Sequence, residues 1–337
     1  MCPPNGKETS NKINDIKNNE VKNNNTNATT TTSTPQTSSQ SSTEISSVVV
    51  QTWSNIYNSA PKLYIPFTKF DIAFSVLSCI VISTLRLINE YIYTEIYGFS
   101  PNTYKTIESA ACTTSIAHAI VLCHGLWALL RSQPYVPSAK IENTPAAYQS
   151  AVTALLQLCT GYMLYDTIFM IRSNQWSLHE DDVAYLGHHI VTILYMSQTR
   201  ILGVGHISAM ALMFTGEITN PFQNTHMVTK YCIQLAQKGS LFHIVHPYAE
   251  LAFATSYFFA RGIVGPIQIA HITYDLLLTK RGRSNVPLLV GTLWSLMIWG
   301  IILGSIPWTR ECYEMMIDGL AVRYDVNTDY GPRYLEL

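Results

Sequence analysis

The distribution of apolar residues is the feature that most limits the fold of this chain. These residues gather in segments of about 17 to 25 residues, the length that an α-helix needs to cross a hydrocarbon layer about 30 Å thick. Only 13% of the 337 residues are charged, against about 25% in a typical soluble domain, and the formal net charge is −1. The sequence therefore predicts an all-α, polytopic transmembrane bundle and gives no indication of a nucleic-acid partner.

Six to seven membrane spans are expected, because the apolar residues form seven segments. These cover about residues 70–88, 107–130, 148–171, 183–197, 203–222, 246–278 and 286–306. The fourth and fifth segments are short and polar for lipid-facing helices, so we place them inside the bundle. In the sixth, we expect a kink near Pro266, since a proline ring removes one backbone hydrogen bond.

Three regions are predicted along the chain. Residues 1–52 are rich in Asn, Thr and Ser and lack apolar periodicity, so we predict a disordered tail. Residues 66–310 are expected to form the transmembrane domain around a polar or lipid cavity. Residues 311–337 are predicted to form a short C-terminal tail.

Two adjacent histidines give the strongest local signal. The run YLGHHIVTILYM places His188 and His189 in an apolar segment, with Tyr185 before them and Thr192 after them. Spacings of three and four residues put these side chains on one polar stripe of a helix. Imidazole transfers protons near neutral pH, so the stripe is a candidate for catalysis or for lipid-headgroup binding. Hydrogen bonding between packed helices remains the alternative interpretation.

Charged residues within the apolar segments extend this candidate site. Asp166 lies in GYMLYDTIFMI and Glu217 in MFTGEITNPFQNT. An ionised carboxylate is costly in hydrocarbon, so we expect each to be protonated or paired, with Arg261 as a possible countercharge. We predict that the two histidines, the two carboxylates and Arg261 converge on one polar interior, with His188, His189, Asp166 and Glu217 as the candidate catalytic residues.

Other polar residues are assigned to the walls of the cavity. Asn220 and Asn224 share a face with Glu217, and Pro221 is expected to end or bend that helix. His118 is the better cavity candidate of the two histidines in its segment, although a lone histidine in a bundle is more often a structural hydrogen-bonding group. Candidate lipid-contacting or cavity residues are therefore His118, Tyr185, Thr192, Asn220, Asn224 and Arg261.

No metal site and no bound cofactor are predicted. The chain contains no HExxH motif, no P-loop and no GxSxG motif. The HxxHH clusters of membrane di-iron oxygenases are also missing.

The order of the polar motifs resembles the TLC domain family. The motifs are AHAIVLCHGLWAL, GYMLYDTIFMI, HEDD, YLGHHIVTILY, GEITNPFQNT and FFARGIVGP. The resemblance covers about residues 107–280. The family includes ceramide synthases, translocation-associated membrane proteins and TLC domain-containing proteins. It implies a multi-pass protein, most often of the endoplasmic reticulum, whose helices surround a lipid-sized cavity.

The resemblance also implies two alternative functions. In ceramide synthases a histidine pair matching His188 and His189 belongs to the active site, which joins a fatty acyl group from acyl-CoA to a long-chain base. The paired aspartates of that signature are missing where this chain reads MFTGEITNPFQN. The leading interpretation is therefore a TLC-type protein that handles a membrane lipid in lipid homeostasis, with membrane-protein partners also possible. The alternative is an N-acyltransferase of sphingolipid metabolism that uses acyl-CoA as co-substrate.

Overall fold

The computed structural model describes residues 37–101, 103–173, 180–236 and 239–323, and this part of the chain is helical without strands. Two isolated β-bridges, Tyr64 with Asp71 and Lys140 with Val204, lie in the connections. The α-helices are α1 Thr37–Ser59, α2 Ala73–Tyr91, α3 Tyr104–Arg131, α4 Ala146–Ser173, α5 Glu180–Leu202, α6 His206–Glu217, α7 Asn220–Leu235, α8 Leu241–Tyr257, α9 Gly265–Leu278, α10 Lys280–Asn285, α11 Leu288–Gly304 and α12 Ile306–Arg323. Two π-helices, Ile92–Ile96 and Phe258–Val264, follow α2 and α8, and a 3-10 helix covers Ile141–Asn143.

Four helices in the described part of the chain are long and apolar enough to cross a membrane. They are Ala73–Ile96, Tyr104–Arg131, Ala146–Arg172 and Leu288–Ala321. This confirms the all-α membrane class, whereas the six to seven spans expected from the sequence are not confirmed. Helix α6 has only 12 residues, or about 18 Å of helix, which is shorter than a hydrocarbon layer.

Large apolar side chains lie on the outer surface as well as in the core. Leu289 is 82% exposed and Ile267 is 67% exposed. An extensive apolar exterior is typical of a surface that contacts lipid or another protein. Inside, fully buried side chains from α3, α4, α5 and α11 pack in one cluster that includes Leu122, Leu155, Met196 and Trp294. Apolar side chains therefore lie both on the outer surface of the bundle and in its interior.

Two prolines start helices. Helix α6 ends at Glu217 and α7 begins at Asn220, with Pro221 in its first turn, where a missing N–H leaves no hydrogen bond unmade. Pro266 likewise lies in the first turn of α9, directly after the Phe258–Val264 π-helix. The kink expected near Pro266 stays a prediction, while the segment before it is a π-helix, a form of helix common near functional sites.

Two glycines allow close packing. Gly205, at the start of α6, has a φ of +77°, and a Cβ there would lie 2.7 Å from Cζ3 of the buried Trp294 ring. On α4, a Cβ at Gly161 would overlap the carbonyl oxygen of Ser75 on α2. Both positions therefore exclude any side chain, one in a turn and one between two crossing helices.

Helices occupy part of both predicted tails. Helix α1 starts at Thr37 and packs against α3 and α4, so residues 37–52 are helical where the sequence suggested disorder. The first 36 residues of that predicted tail lie outside the described part of the chain. At the other end, α12 continues to Arg323, into the region predicted as a short C-terminal tail.

Candidate functional site

A cavity of about 830 Å³ lies between the helices, and polar residues from distant parts of the chain line it. Helix α4 contributes Asp166, α5 contributes His188 and His189, the end of α6 contributes Glu217, and the π-helix after α8 contributes Arg261. The structure therefore brings together all five residues that the sequence predicted would converge.

Asp166 and His189 form the closest acid–histidine contact of this cavity. His189 Nε2 lies 3.5 Å from Asp166 Oδ2, and the side chains are 2% and 13% exposed. On the other side of the ring, His189 Nδ1 lies 2.8 Å from the hydroxyl of Thr167. The imidazole is thus held at both nitrogens, between two consecutive residues of α4.

The Thr167 hydroxyl is placed to orient the His189 ring. It can donate its single proton to the carbonyl oxygen of Met163, 2.7 Å away, and can then accept a hydrogen from His189 Nδ1. In that tautomer, Nε2 of the neutral ring carries a lone pair and lies 3.5 Å from Asp166 Oδ2.

Tyr185 completes this group. Its hydroxyl donates to Asp166 Oδ2 at 2.8 Å, and its ring lies 4.4 Å from the His189 ring. Tyr185 is four residues before His189 on α5, one helical turn away, which is why both side chains reach the same carboxylate. The group can accept or donate a proton at the cavity wall.

Glu217 forms a second polar group. Asn220 Nδ2 donates to Glu217 Oε2 at 2.9 Å, and Asn224 Nδ2 donates to the carbonyl oxygen of Asn220 at 2.9 Å. Asn220 and Asn224 both line the cavity, as the sequence predicted. These contacts follow from the junction of two helices, since Glu217 ends α6 and Asn220 starts α7.

Arg261 does not form the ion pair considered from the sequence. Its guanidinium donates to the carbonyl oxygen of Gly216 at 3.4 Å and lies over the Tyr257 ring at 5.7 Å. Among the described residues, neither Asp166 nor Glu217 lies within ion-pair distance of Arg261; Asp166 lies against His189 and Glu217 against His118 instead. The cation therefore faces the cavity without a carboxylate directly against it.

A second, mainly apolar cavity adjoins the first. It has a volume of about 80 Å³ and shares His188, Glu217 and Arg261 with the larger cavity. Thr192, predicted as a cavity residue, lines only this smaller space. Its apolar walls include Met196, Leu212, Met213, Ile269, Ile298 and Ile302. The larger cavity thus adjoins the smaller, mainly apolar cavity at His188.

His118 lies behind the cavity wall instead of lining either cavity. Its ring stacks on Tyr162, with centroids 3.9 Å apart, and its Nδ1 lies 3.9 Å from Glu217 Oε2. Both ring nitrogens are buried without a hydrogen bond. His118 therefore supports Tyr162 and Glu217, which do line the cavity.

Three residues in or beside the cavity escaped the sequence interpretation. Glu108 lines the cavity from the start of α3, although the same argument about carboxylates in apolar segments applied to it. Thr167 escaped because a hydroxyl in a membrane helix normally satisfies itself on the preceding turn and gives no signal. Gly187 also lines the cavity, and a Cβ there would meet nothing within 4 Å.

The fold and this cavity define a helical membrane protein with a polar interior. The family model of the TLC domain matches residues 108–311, which is more than half of the chain, and the chain belongs to the TLC domain family. The match runs from α3 to the first turns of α12 and contains the five converging residues. No curated protein and no solved structure shows a significant match to the chain.

Proposed function

We propose that this TLC domain protein binds a membrane lipid within its helical bundle and acts in membrane lipid homeostasis, in the endoplasmic reticulum. The observation that supports the proposal most directly is the cavity of about 830 Å³, whose wall combines polar residues such as Asp166 and His189 with apolar ones such as Phe169 and Leu296. A lipid has the same combination, with a polar headgroup and an apolar chain. The family resemblance supports the choice of organelle.

The polar residues of the larger cavity would hold the headgroup. Asp166 Oδ2 and His189 Nε2 lie 3.5 Å apart, so together they offer hydrogen-bonding atoms to an amine or a hydroxyl. Arg261 offers donors to an oxygen-bearing group, since no carboxylate of the described residues pairs with it within ion-pair distance. The lipid's polar group would therefore sit among α4, α5 and the π-helix after α8.

A measurement of bound lipid tests this proposal. The full chain is purified in mild detergent, and co-purifying lipids are measured by native mass spectrometry for wild type, His189→Ala and Asp166→Asn. We expect one retained lipid class in wild type and roughly tenfold less in either variant, because a lost hydrogen bond to a charged group costs about 1.5–3 kcal/mol.

His124→Ala is the matched control. His124 is an exposed histidine on α3 that lines neither cavity, so its removal should leave the bound lipid unchanged. Equal retention in wild type, His189→Ala and Asp166→Asn would contradict the proposal. Lipid analysis of a deletion strain, complemented with wild type or His188→Ala, then tests the role in homeostasis.

An N-acyltransferase of ceramide synthase type is the second candidate function. The favouring observation is the contact of the Thr167 hydroxyl with His189 Nδ1, which allows the tautomer with a lone pair on Nε2. That nitrogen could take the proton of a long-chain-base amine as the amine attacks the thioester carbon of acyl-CoA. A C–N bond would form, the C–S bond would break, and the thiolate would leave with the transferred proton.

Ceramide formation separates the two candidates. We expect the purified chain to form little or no ceramide from acyl-CoA and a long-chain base, because the paired aspartates of the synthase signature are missing and such catalysis depends on group placement. Robust synthesis by wild type, lost in both His188→Ala and His189→Ala while folding is retained, would make the transferase function primary. Weak activity unaffected by both substitutions indicates a contaminating enzyme.

A further inference from the structure

A cluster of metal-ligating side chains lies between α7 and α8. His226 is on α7, and His246 and Glu250 are four residues apart on α8. One ligand atom from each lies within 4.8 Å of the other two. None of the three lines either of the two cavities described above.

His226 is buried with an unsatisfied ring nitrogen. The residue is only 6% exposed, and its Nδ1 makes no hydrogen bond. Its ring lies between two others, with centroid distances of 5.1 Å to His246 and 5.5 Å to Phe253 and interplanar angles below 20° in both cases. A buried polar atom without a partner costs free energy, and a bound cation would remove that cost.

His246 is oriented as a ligand by Thr229. The Thr229 hydroxyl lies 2.9 Å from the carbonyl oxygens of Thr225 and His226, to which its single proton can be donated. It also lies 2.9 Å from His246 Nδ1, so with its proton on either carbonyl oxygen it is placed to accept a hydrogen from that nitrogen. In that tautomer, Nε2 of His246 carries the lone pair that a metal ion requires, as in zinc sites whose histidines are held by a second hydrogen bond.

The donor set indicates the kind of ion. Two neutral imidazoles and one carboxylate are ligands that suit Zn²⁺, and His₂Glu sets leave a fourth position for water. Zn–N and Zn–O bonds near 2.0–2.2 Å require the donor atoms to lie roughly 3.3–3.5 Å apart, so the side chains must close by about an ångström. Lys230, one turn after His226 on α7, is partly exposed and can extend away from a bound cation.

We propose that His226, His246 and Glu250 bind a Zn²⁺ ion that links α7 to α8. The ion would also fix Phe253, which stacks on His226 and lines the larger cavity. This metal site is independent of the lipid-binding proposal, since it uses none of the polar residues that would hold the headgroup.

Metal binding by the full chain tests the proposal. The protein is purified in detergent, its affinity tag is removed, and chelator-treated samples are titrated with ZnCl₂ and, separately, with CoCl₂. We expect one equivalent of zinc per chain, a higher thermal transition with zinc, and the visible absorption of tetrahedral cobalt. His226→Ala, His246→Ala and the isosteric Glu250→Gln should each weaken binding at least roughly tenfold.

Two control variants locate the ion. His243→Ala removes a neighbouring histidine of α8 and should leave zinc binding unchanged, as should His189→Ala in the cavity.

The role of Thr229 is tested separately. Thr229→Val should weaken zinc binding roughly 10–100-fold and Thr229→Ser should restore it, because Thr229 positions His246 without touching the ion.

Three results would overturn the metal site. One is the absence of stoichiometric zinc and of a tetrahedral cobalt spectrum in folded wild type. The second is a zinc affinity that is the same in wild type, in Glu250→Gln and in His226→Ala. The third is loss of zinc in His189→Ala but not in His226→Ala, which would place the ion in the cavity.

Discussion

A single hydroxyl group on α4 contacts the histidine of the cavity. Thr167 Oγ1 lies 2.7 Å from the Met163 carbonyl oxygen and 2.8 Å from His189 Nδ1, and can donate to the first and accept from the second, while the opposite nitrogen lies toward Asp166. Replacing Thr167 with Val retains the shape of the side chain but leaves the Nδ1–H of a buried ring without an acceptor. Such a buried, unsatisfied donor costs about 1–3 kcal/mol.

We therefore expect Thr167→Val to lower the thermal transition of the purified protein, measured in detergent by intrinsic fluorescence, while Thr167→Ser stays near wild type. Serine keeps the hydroxyl and removes only a methyl group. Identical transitions for the Val and Ser variants would show that the hydroxyl does not hold the ring.

At this scale the sequence is informative about charge and uninformative about contact. Asp166 and the histidine pair stand out because ionisable groups are costly in apolar segments. His246 and Glu250 also lie in an apolar segment, but their proximity to His226 on a different helix could not be read from the sequence. Which helices pack side by side depends on the whole bundle.

At the scale of elements, Gly161 makes the contact between α2 and α4 possible. The carbonyl oxygen of Ser75 occupies the space of a Cβ at this position, so an alanine would push the two backbones apart. We expect Gly161→Ala to destabilise the protein by about 1–3 kcal/mol, the usual cost of overpacking, and to lower its unfolding temperature.

Gly300→Ala is the control for this substitution. Gly300 is also within a helix, α11, but a Cβ there would meet nothing within 4 Å. Alanine should be neutral or stabilise that helix by up to about 1 kcal/mol. An unchanged unfolding temperature in Gly161→Ala would mean that α2 and α4 are farther apart than described.

Helix α1 shows an element that was predictable but was not predicted. Val50, Trp53 and Tyr57 follow a helical spacing, and the first two pack against the core. The many polar residues around them obscured this helical spacing in the sequence.

Tyr57 also donates a hydrogen bond to Asp71 at 3.1 Å, and burial together with that carboxylate raises the pKa of Tyr57 to about 12. The tyrosine therefore remains a donor throughout the physiological pH range.

At the scale of the whole molecule, residues of the same type differ in how deeply they are buried. Leu122 is fully buried in the core cluster, whereas Leu289 is among the most exposed apolar residues. We expect Leu122→Ala to cost about 2–5 kcal/mol in unfolding free energy, because a cavity would remain in the packed interior.

Leu289→Ala deletes the same atoms from the outer face and should change unfolding free energy little. Denaturant titration of both variants in one detergent provides the comparison. Similar losses in the two variants would indicate that Leu289 packs against another protein chain instead of lipid.

The class of the whole molecule follows from segment length, but the number of spans does not. Four helices meet both the length and the hydropathy that a span requires. Helix α5 begins with Glu180 and two aspartates, and α6 ends after 12 residues, so their position depends on the helices that surround them. Interior segments of this kind carry polar side chains because neighbouring helices separate those side chains from lipid. A hydropathy value takes no account of neighbouring helices, so it does not identify such segments.

The vacant space beside Gly187 provides an experimental handle. Because the glycine borders the cavity and has room for a side chain, Gly187→Cys could carry a photoreactive or fluorescent reporter next to His188 and His189. Illumination of intact membranes would then attach the reporter covalently to whatever occupies the interior. The occupant could be identified in place, before detergent has had a chance to exchange it.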